Sequence, residues 1–164
     1  MSWFLLNRNL TPLEPYDWKL SRTVLRGERG SNAPDLPGNS MLADIPSYKL
    51  DSLLELKHRY HIMLLSNTNS IHWQWAVRNR FRYKGLEVED FFDRIYLSYE
   101  LHMQKPDKEI FKYVLEDAGI APEETFFIDD SVANCSAAEQ LGIRTYCCPA
   151  GSDWRFLFEK DGAS

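Results

Sequence analysis

A chain of 164 residues with a formal net charge of -5 has room for one domain around a single core, and it carries no basic run of the kind that nucleic acid selects. No apolar stretch approaches the roughly 20 residues that cross a membrane, and the apolar run Trp3 to Leu6 is too short for a signal peptide. Cys135, Cys147 and Cys148 are too few and too clustered for a disulfide framework, so a reducing cytoplasm is the expected setting.

The chain opens on Trp3-Phe4-Leu5-Leu6, an apolar run followed by Asn7-Arg8-Asn9-Leu10-Thr11. From Pro12 to Gly38 come four prolines and three glycines, with apolar residues at neither the helical nor the strand period. Residues 1–38 are therefore expected to form an irregular segment that buries little apolar surface, and residues 39–164 the core domain.

Regular elements follow. Leu50, Leu53, Leu54 and Leu56 predict an amphipathic helix over Ser47 to Tyr60. It leads into a short apolar strand, Ile62 to Leu65, which ends in Ser66-Asn67-Thr68-Asn69. Small hydroxyl and amide residues at a strand end suit an oxyanion, although they also populate ordinary turns. An aromatic-rich segment with Trp73, Trp75, Phe81 and Tyr83 reads as core, and Arg94 to Ser98 as a further strand.

Lys105-Pro106-Asp107 precedes a helix expected to run to Ala118 and to stop at Gly119, with Pro106 at its first position and Lys105 on the loop before it. Thr125 to Ile128 is a buried strand that ends in the adjacent carboxylates Asp129 and Asp130. Like charges side by side raise each other's pKa, and a divalent cation relieves the conflict; the competing reading is that Asp130-Ser131 only caps the next helix. That helix, Ala133 to Leu141, is closed by Gly142, and Arg144 to Cys147 supplies a last strand. The histidines His58, His61, His72 and His102 show no metal-ligand spacing. Strands alternating with helices of this length predict an α/β domain with a parallel sheet covered on both faces.

Ser66, then Lys105-Pro106, then Asp129-Asp130 with Asn134 four positions on, resemble the second, third and fourth motifs of the haloacid dehalogenase (HAD) superfamily. The likeness covers about Ser47 to Phe158. Within the superfamily, the runs SNTNSIHWQWA and LHMQKPDKEIF are most similar to phosphatases grouped with glucose-1-phosphate phosphatase and the N-terminal domains of epoxide hydrolases.

The resemblance implies a Rossmann-like fold and Mg²⁺-dependent hydrolysis of a small phosphate ester through an aspartyl-phosphate. Ser66 would hydrogen-bond the phosphoryl group with Asn67 and Thr68 beside it, and Lys105 would neutralise its charge. Asp129 would ligate Mg²⁺, and Asp130 would ligate it or orient it through water.

The family's first motif, an Asp-x-Asp after the central strand, has no counterpart, because no Asp-x-Asp occurs anywhere in the chain. Asn7-x-Asn9 has the motif's spacing with amides in place of both acids, and an amide is neither a nucleophile nor a useful proton donor. The N-terminal part of the fold is thus expected to be incomplete and hydrolysis impaired. Three readings remain open: a working phosphatase, a non-catalytic domain that binds phosphate and Mg²⁺, and a truncated member of an active family. The stretch between Thr11 and Ser47 is too short and irregular for the helical cap that usually sets substrate choice in this family.

Overall fold

The computed structural model describes residues 2–7, 45–149 and 152–158. Its centre is a five-stranded sheet of order β3-β2-β1-β4-β5, formed by β1 (Ser2–Asn7), β2 (Tyr60–Ser66), β3 (Arg94–Leu97), β4 (Phe126–Asp129) and β5 (Arg144–Cys147). The helices are α1 (Ser47–Lys57), α2 (Ser70–Arg80), α3 (Val88–Phe91), α4 (Ser98–Leu101), α5 (Lys108–Ala118) and α6 (Val132–Glu139).

Burial on both faces explains why β2 and β4 read as continuous apolar runs rather than alternating ones. Ile62 and Leu64 of β2, with Phe126 and Ile128 of β4, join the core under α1, α2 and α3. Their neighbours Met63, Leu65 and Phe127 point the other way, into the core under α5 and α6. Helix α1 contributes Leu50, Leu53 and Leu56 to the first core, and α5 contributes Ile110, Phe111, Val114 and Leu115 to the second. The Phe111 and Phe127 rings meet edge-on at 5.2 Å between centroids.

The expected elements are present within a few residues, and the differences have local causes. Helix α5 begins at Lys108 with Asp107 at its N-cap, so Pro106 lies one residue before the cap instead of at the first helical position. A turn bond from Asp107 N–H to Gln104 O, 3.0 Å, bends the chain there before the helix can start. At the other end Gly119 takes φ 67°, a left-handed conformation that stops the helix at little steric cost. Trp73 packs against the core as expected, whereas Trp75 is exposed and has the Arg80 guanidinium 4.9 Å above its ring.

The larger difference is at the centre of the sheet. The expected irregular segment 1–38 includes the described residues Ser2–Asn7, and these form the middle strand. Strands β2 with β3 and β4 with β5 pair in parallel, but β1 runs antiparallel to both β2 and β4. Ser2 sits opposite Leu65, and Asn7 opposite Tyr60. Residues 8–44, including Asn9, lie outside the described residues.

Candidate functional site

The site lies at the edge where the parallel strands end, the place at which open α/β sheets gather ligand-binding loops. Ser66 is the last residue of β2 and Asp129 the last of β4; both are buried, Asp129 completely. Between these strand ends comes Lys105, from the loop that precedes α5. Its Nζ donates to Asp129 Oδ2 at 2.9 Å and to the Leu65 carbonyl at 3.3 Å, with the lysine side chain only 3 % exposed. One ammonium thus joins the ends of β2 and β4 across the position of β1. Two ions can be held in such a dry place because each offsets part of the other's desolvation.

Asp129 is further fixed through its second oxygen. Oδ1 accepts from Ser131 N–H at 2.8 Å and from Asn134 Nδ2 at 3.0 Å. Its backbone carbonyl accepts from Cys148 N–H at 2.9 Å and, at 3.7 Å, from the Cys135 thiol. Burial pushes the Cys135 thiol up, and the Asp129 charge adds to the shift. Ser131 caps α6 by accepting from Asn134 N–H at 3.5 Å, so the capping reading of this turn holds for Ser131 while Asp129 faces Lys105. Asp130 is half-buried, and its carboxyl is held above the usual carboxylate range first by burial and then by the charge of Asp129.

The loop after β2 is tied on both sides. Thr68 N–H donates to Ser98 Oγ at 3.0 Å, and that hydroxyl donates back to the Thr68 carbonyl at 3.0 Å. Ser98, at the start of α4, is a residue that sequence reasoning placed only as a strand end; nothing in its local pattern announces the contact. Asn67, expected beside the ligand, has its side-chain amide on the backbone of Lys105: Nδ2 donates to Lys105 O at 2.7 Å, and Oδ1 accepts from Lys105 N–H at 2.9 Å. Asn69 caps α2 by accepting from His72 N–H at 2.9 Å.

The expected residues Ser66, Asn67, Lys105, Asp129 and Asp130 therefore meet at one sheet edge. Asn7 does not. It is five steps along β1 from Ser2, about 17 Å at ~3.4 Å per residue, and lies at the opposite end of the sheet.

The donor set fits a hydrated divalent cation held by two carboxylates. The Asp129 carboxylate accepts from Lys105 Nζ, Ser131 N–H and Asn134 Nδ2, which fix its orientation at the strand end. The unfavourable charge on Asp130 is what a neighbouring cation would relieve. Mg²⁺ commonly takes one or two carboxylates and keeps its remaining waters. Among the described residues there is no group of three or more His, Cys, Asp or Glu placed to hold a metal. Nor, among them, is any helix long and apolar enough to cross a membrane.

Known proteins resemble this chain. Over 107 residues, 65 % of the chain, it is 41 % identical to a D-ribitol-5-phosphate phosphatase of Bacteroides thetaiotaomicron, and it spans 52 % of that relative's length. A HAD family enzyme of the same species, solved in complex with magnesium and inorganic phosphate, superimposes with a TM-score of 0.71 at 60 % identity, covering 73 % of this chain and 61 % of that one. A predicted HAD-like family hydrolase from Porphyromonas gingivalis superimposes with a TM-score of 0.68 at 37 % identity, covering 75 % and 60 %. The chain thus spans little more than half the length of such relatives. The match to the family begins after β1, so the antiparallel middle strand comes from outside the shared region. Residues 28–142, most of the chain and all of the site from Ser66 to Asn134, match the model of the haloacid dehalogenase-like hydrolases, and the chain belongs to that family.

Proposed function

We propose that this chain binds a small phosphorylated molecule and Mg²⁺ at the edge formed by Ser66, Lys105, Asp129 and Asp130, and that it hydrolyses the ester slowly or not at all. The observation that carries the reading is the buried Lys105–Asp129 pair bridging β2 and β4 while the strand between them runs the wrong way to deliver a carboxylate there. Lys105 supplies a desolvated positive charge next to Ser66, which suits a phosphoryl group and gives the anion a hydroxyl partner. Asp129 and Asp130 would hold Mg²⁺, which when bound would neutralise phosphoryl charge. Asn134 and Ser131 keep the Asp129 carboxylate aimed. The phosphatase relatives support a phosphate ester as the ligand, and the D-ribitol-5-phosphate phosphatase makes a phosphorylated sugar alcohol the first to try.

Titration calorimetry with inorganic phosphate in the presence of Mg²⁺ tests the binding half. Saturable binding that weakens on the order of tenfold or more in Lys105→Met, as expected for loss of a charge-assisted contact, supports it. Phosphate affinity indifferent to Lys105→Met would refute the assignment. The alternative of a working phosphatase is favoured by the relatives alone and is separated by the turnover measurement at the end of the Discussion.

A further inference from the structure

Asn67 and Ser66 are neighbours with different surroundings. Ser66 ends β2 at the site, whereas the side chain of Asn67 turns to the loop that carries Lys105 and closes two hydrogen bonds on the N–H and C=O of that one residue, at 2.9 and 2.7 Å. A primary amide offers a donor and an acceptor side by side, so it pairs with a peptide unit as another strand would. Asp at this position would set a carboxylate oxygen against the Lys105 carbonyl, and Gln would carry the amide one methylene too far.

Lys105 needs such an anchor. It lies outside any strand or helix, on the loop from His102 to Asp107. Its long side chain has high rotamer freedom, and ordering that chain alone is costly. Yet its Nζ must sit within hydrogen-bond distance of both Leu65 O on β2 and Asp129 Oδ2 on β4. Asn67 is two residues beyond Leu65, so its pair with the Lys105 backbone holds the root of the lysine to the same strand end that receives its tip.

We infer that Asn67 is the positioning residue for Lys105, fixing the lysine backbone so that its ammonium points into the site, and that its side chain does not itself contact the phosphorylated ligand. The part of this that concerns the ligand rests on the proposed phosphate binding; the part that concerns Lys105 does not.

Two readouts test it. The first is acetylation of Lys105 by an amine-reactive ester, followed by mass spectrometry in the full chain. Lys105 is buried and expected to react slowly; loss of both bonds in Asn67→Ala should raise its rate on the order of tenfold while other lysines keep theirs. Asn67→Asp, which keeps an acceptor for Lys105 N–H but loses the donor, serves if the alanine variant fails to fold, and should also raise the rate. An unchanged Lys105 rate in the folded variant would overturn the inference.

The second readout is a double-mutant cycle on inorganic phosphate affinity in Mg²⁺. Asn67→Ala should weaken binding in the natural chain and leave it unchanged in a Lys105→Met background. Equal losses in both backgrounds would show that Asn67 meets the ligand directly and overturn the inference. If the natural chain binds no phosphate, the proposed function fails, and the acetylation rate still decides the role of Asn67.

Discussion

Lys105 Nζ and Asp129 Oδ2 are 2.9 Å apart in a place where both side chains are almost wholly removed from water. Removing one member of such a pair leaves the other charge buried without its partner, a loss of about 3–5 kcal/mol. Lys105→Met should therefore lower the unfolding free energy by about that amount in denaturant titration. Replacing both residues, Lys105→Met with Asp129→Leu, should restore part of it. A single substitution costing no more than an exposed ion pair, ~1 kcal/mol or less, would show that the pair is not buried in solution.

Asp129 and Asp130 predict weak Mg²⁺ binding that Asp129→Ala abolishes, because two carboxylates with no third acid beside them among the described residues leave most of the coordination to water. The binding should also depend on pH. The Asp130 carboxyl is raised by burial and then by the Asp129 charge, so on acidification it takes up its proton, and releases the metal, at a higher pH than an ordinary carboxylate near ~4. In the metal-free chain the same raised pKa acts on stability. Its favourable contribution is fully present below the unfolded pKa and is lost as pH rises through the folded one. Calorimetry at stepped pH checks both halves, and Mg²⁺ affinity unchanged in Asp129→Ala would refute the metal assignment.

Asn7 lies opposite Tyr60, at the far end of the sheet from Ser66. Replacing both Asn7 and Asn9 by Asp should accordingly produce no Mg²⁺-dependent hydrolysis, since position 7 lies about 17 Å along the strand from the site edge. Gained activity that Lys105→Ala removes again would mean that the Trp3 to Leu6 strand runs parallel to β2.

Phe111 of α5 and Phe127 of β4 are fully buried and meet edge-on. Phe111→Ala should cost about 3–5 kcal/mol in unfolding free energy by leaving a cavity under the sheet. A loss below ~1 kcal/mol would place that helix face in water.

Much of this architecture was legible because the signals are local. Leu50, Leu53 and Leu56 mark α1 by their spacing, Gly119 marks the end of α5, and the apolar runs of β2 and β4 follow from burial on both faces. The candidate site was read from a resemblance, and the structure places its residues Ser66 and Asp129 at strand ends and Lys105 on the loop between them. The direction of β1 was not. Trp3 to Leu6 pairs equally well by periodicity with either orientation, and direction depends on which neighbours are free, a long-range matter. The hydrogen bonds of Asn67 to Lys105 and of Ser98 to Thr68 join residues 38 and 30 apart, and no local pattern encodes them.

Phosphate release from D-ribitol 5-phosphate by the unmodified chain in Mg²⁺, set against Lys105→Ala, tests the central claim most directly. With no carboxylate in the strand Ser2–Asn7 that lies between β2 and β4, both proteins should release phosphate at the background rate, below an active relative by on the order of 10⁴ to 10⁶. Mg²⁺-dependent turnover in the unmodified chain that disappears in Lys105→Ala would contradict the account and require a nucleophile among residues other than those described at this edge.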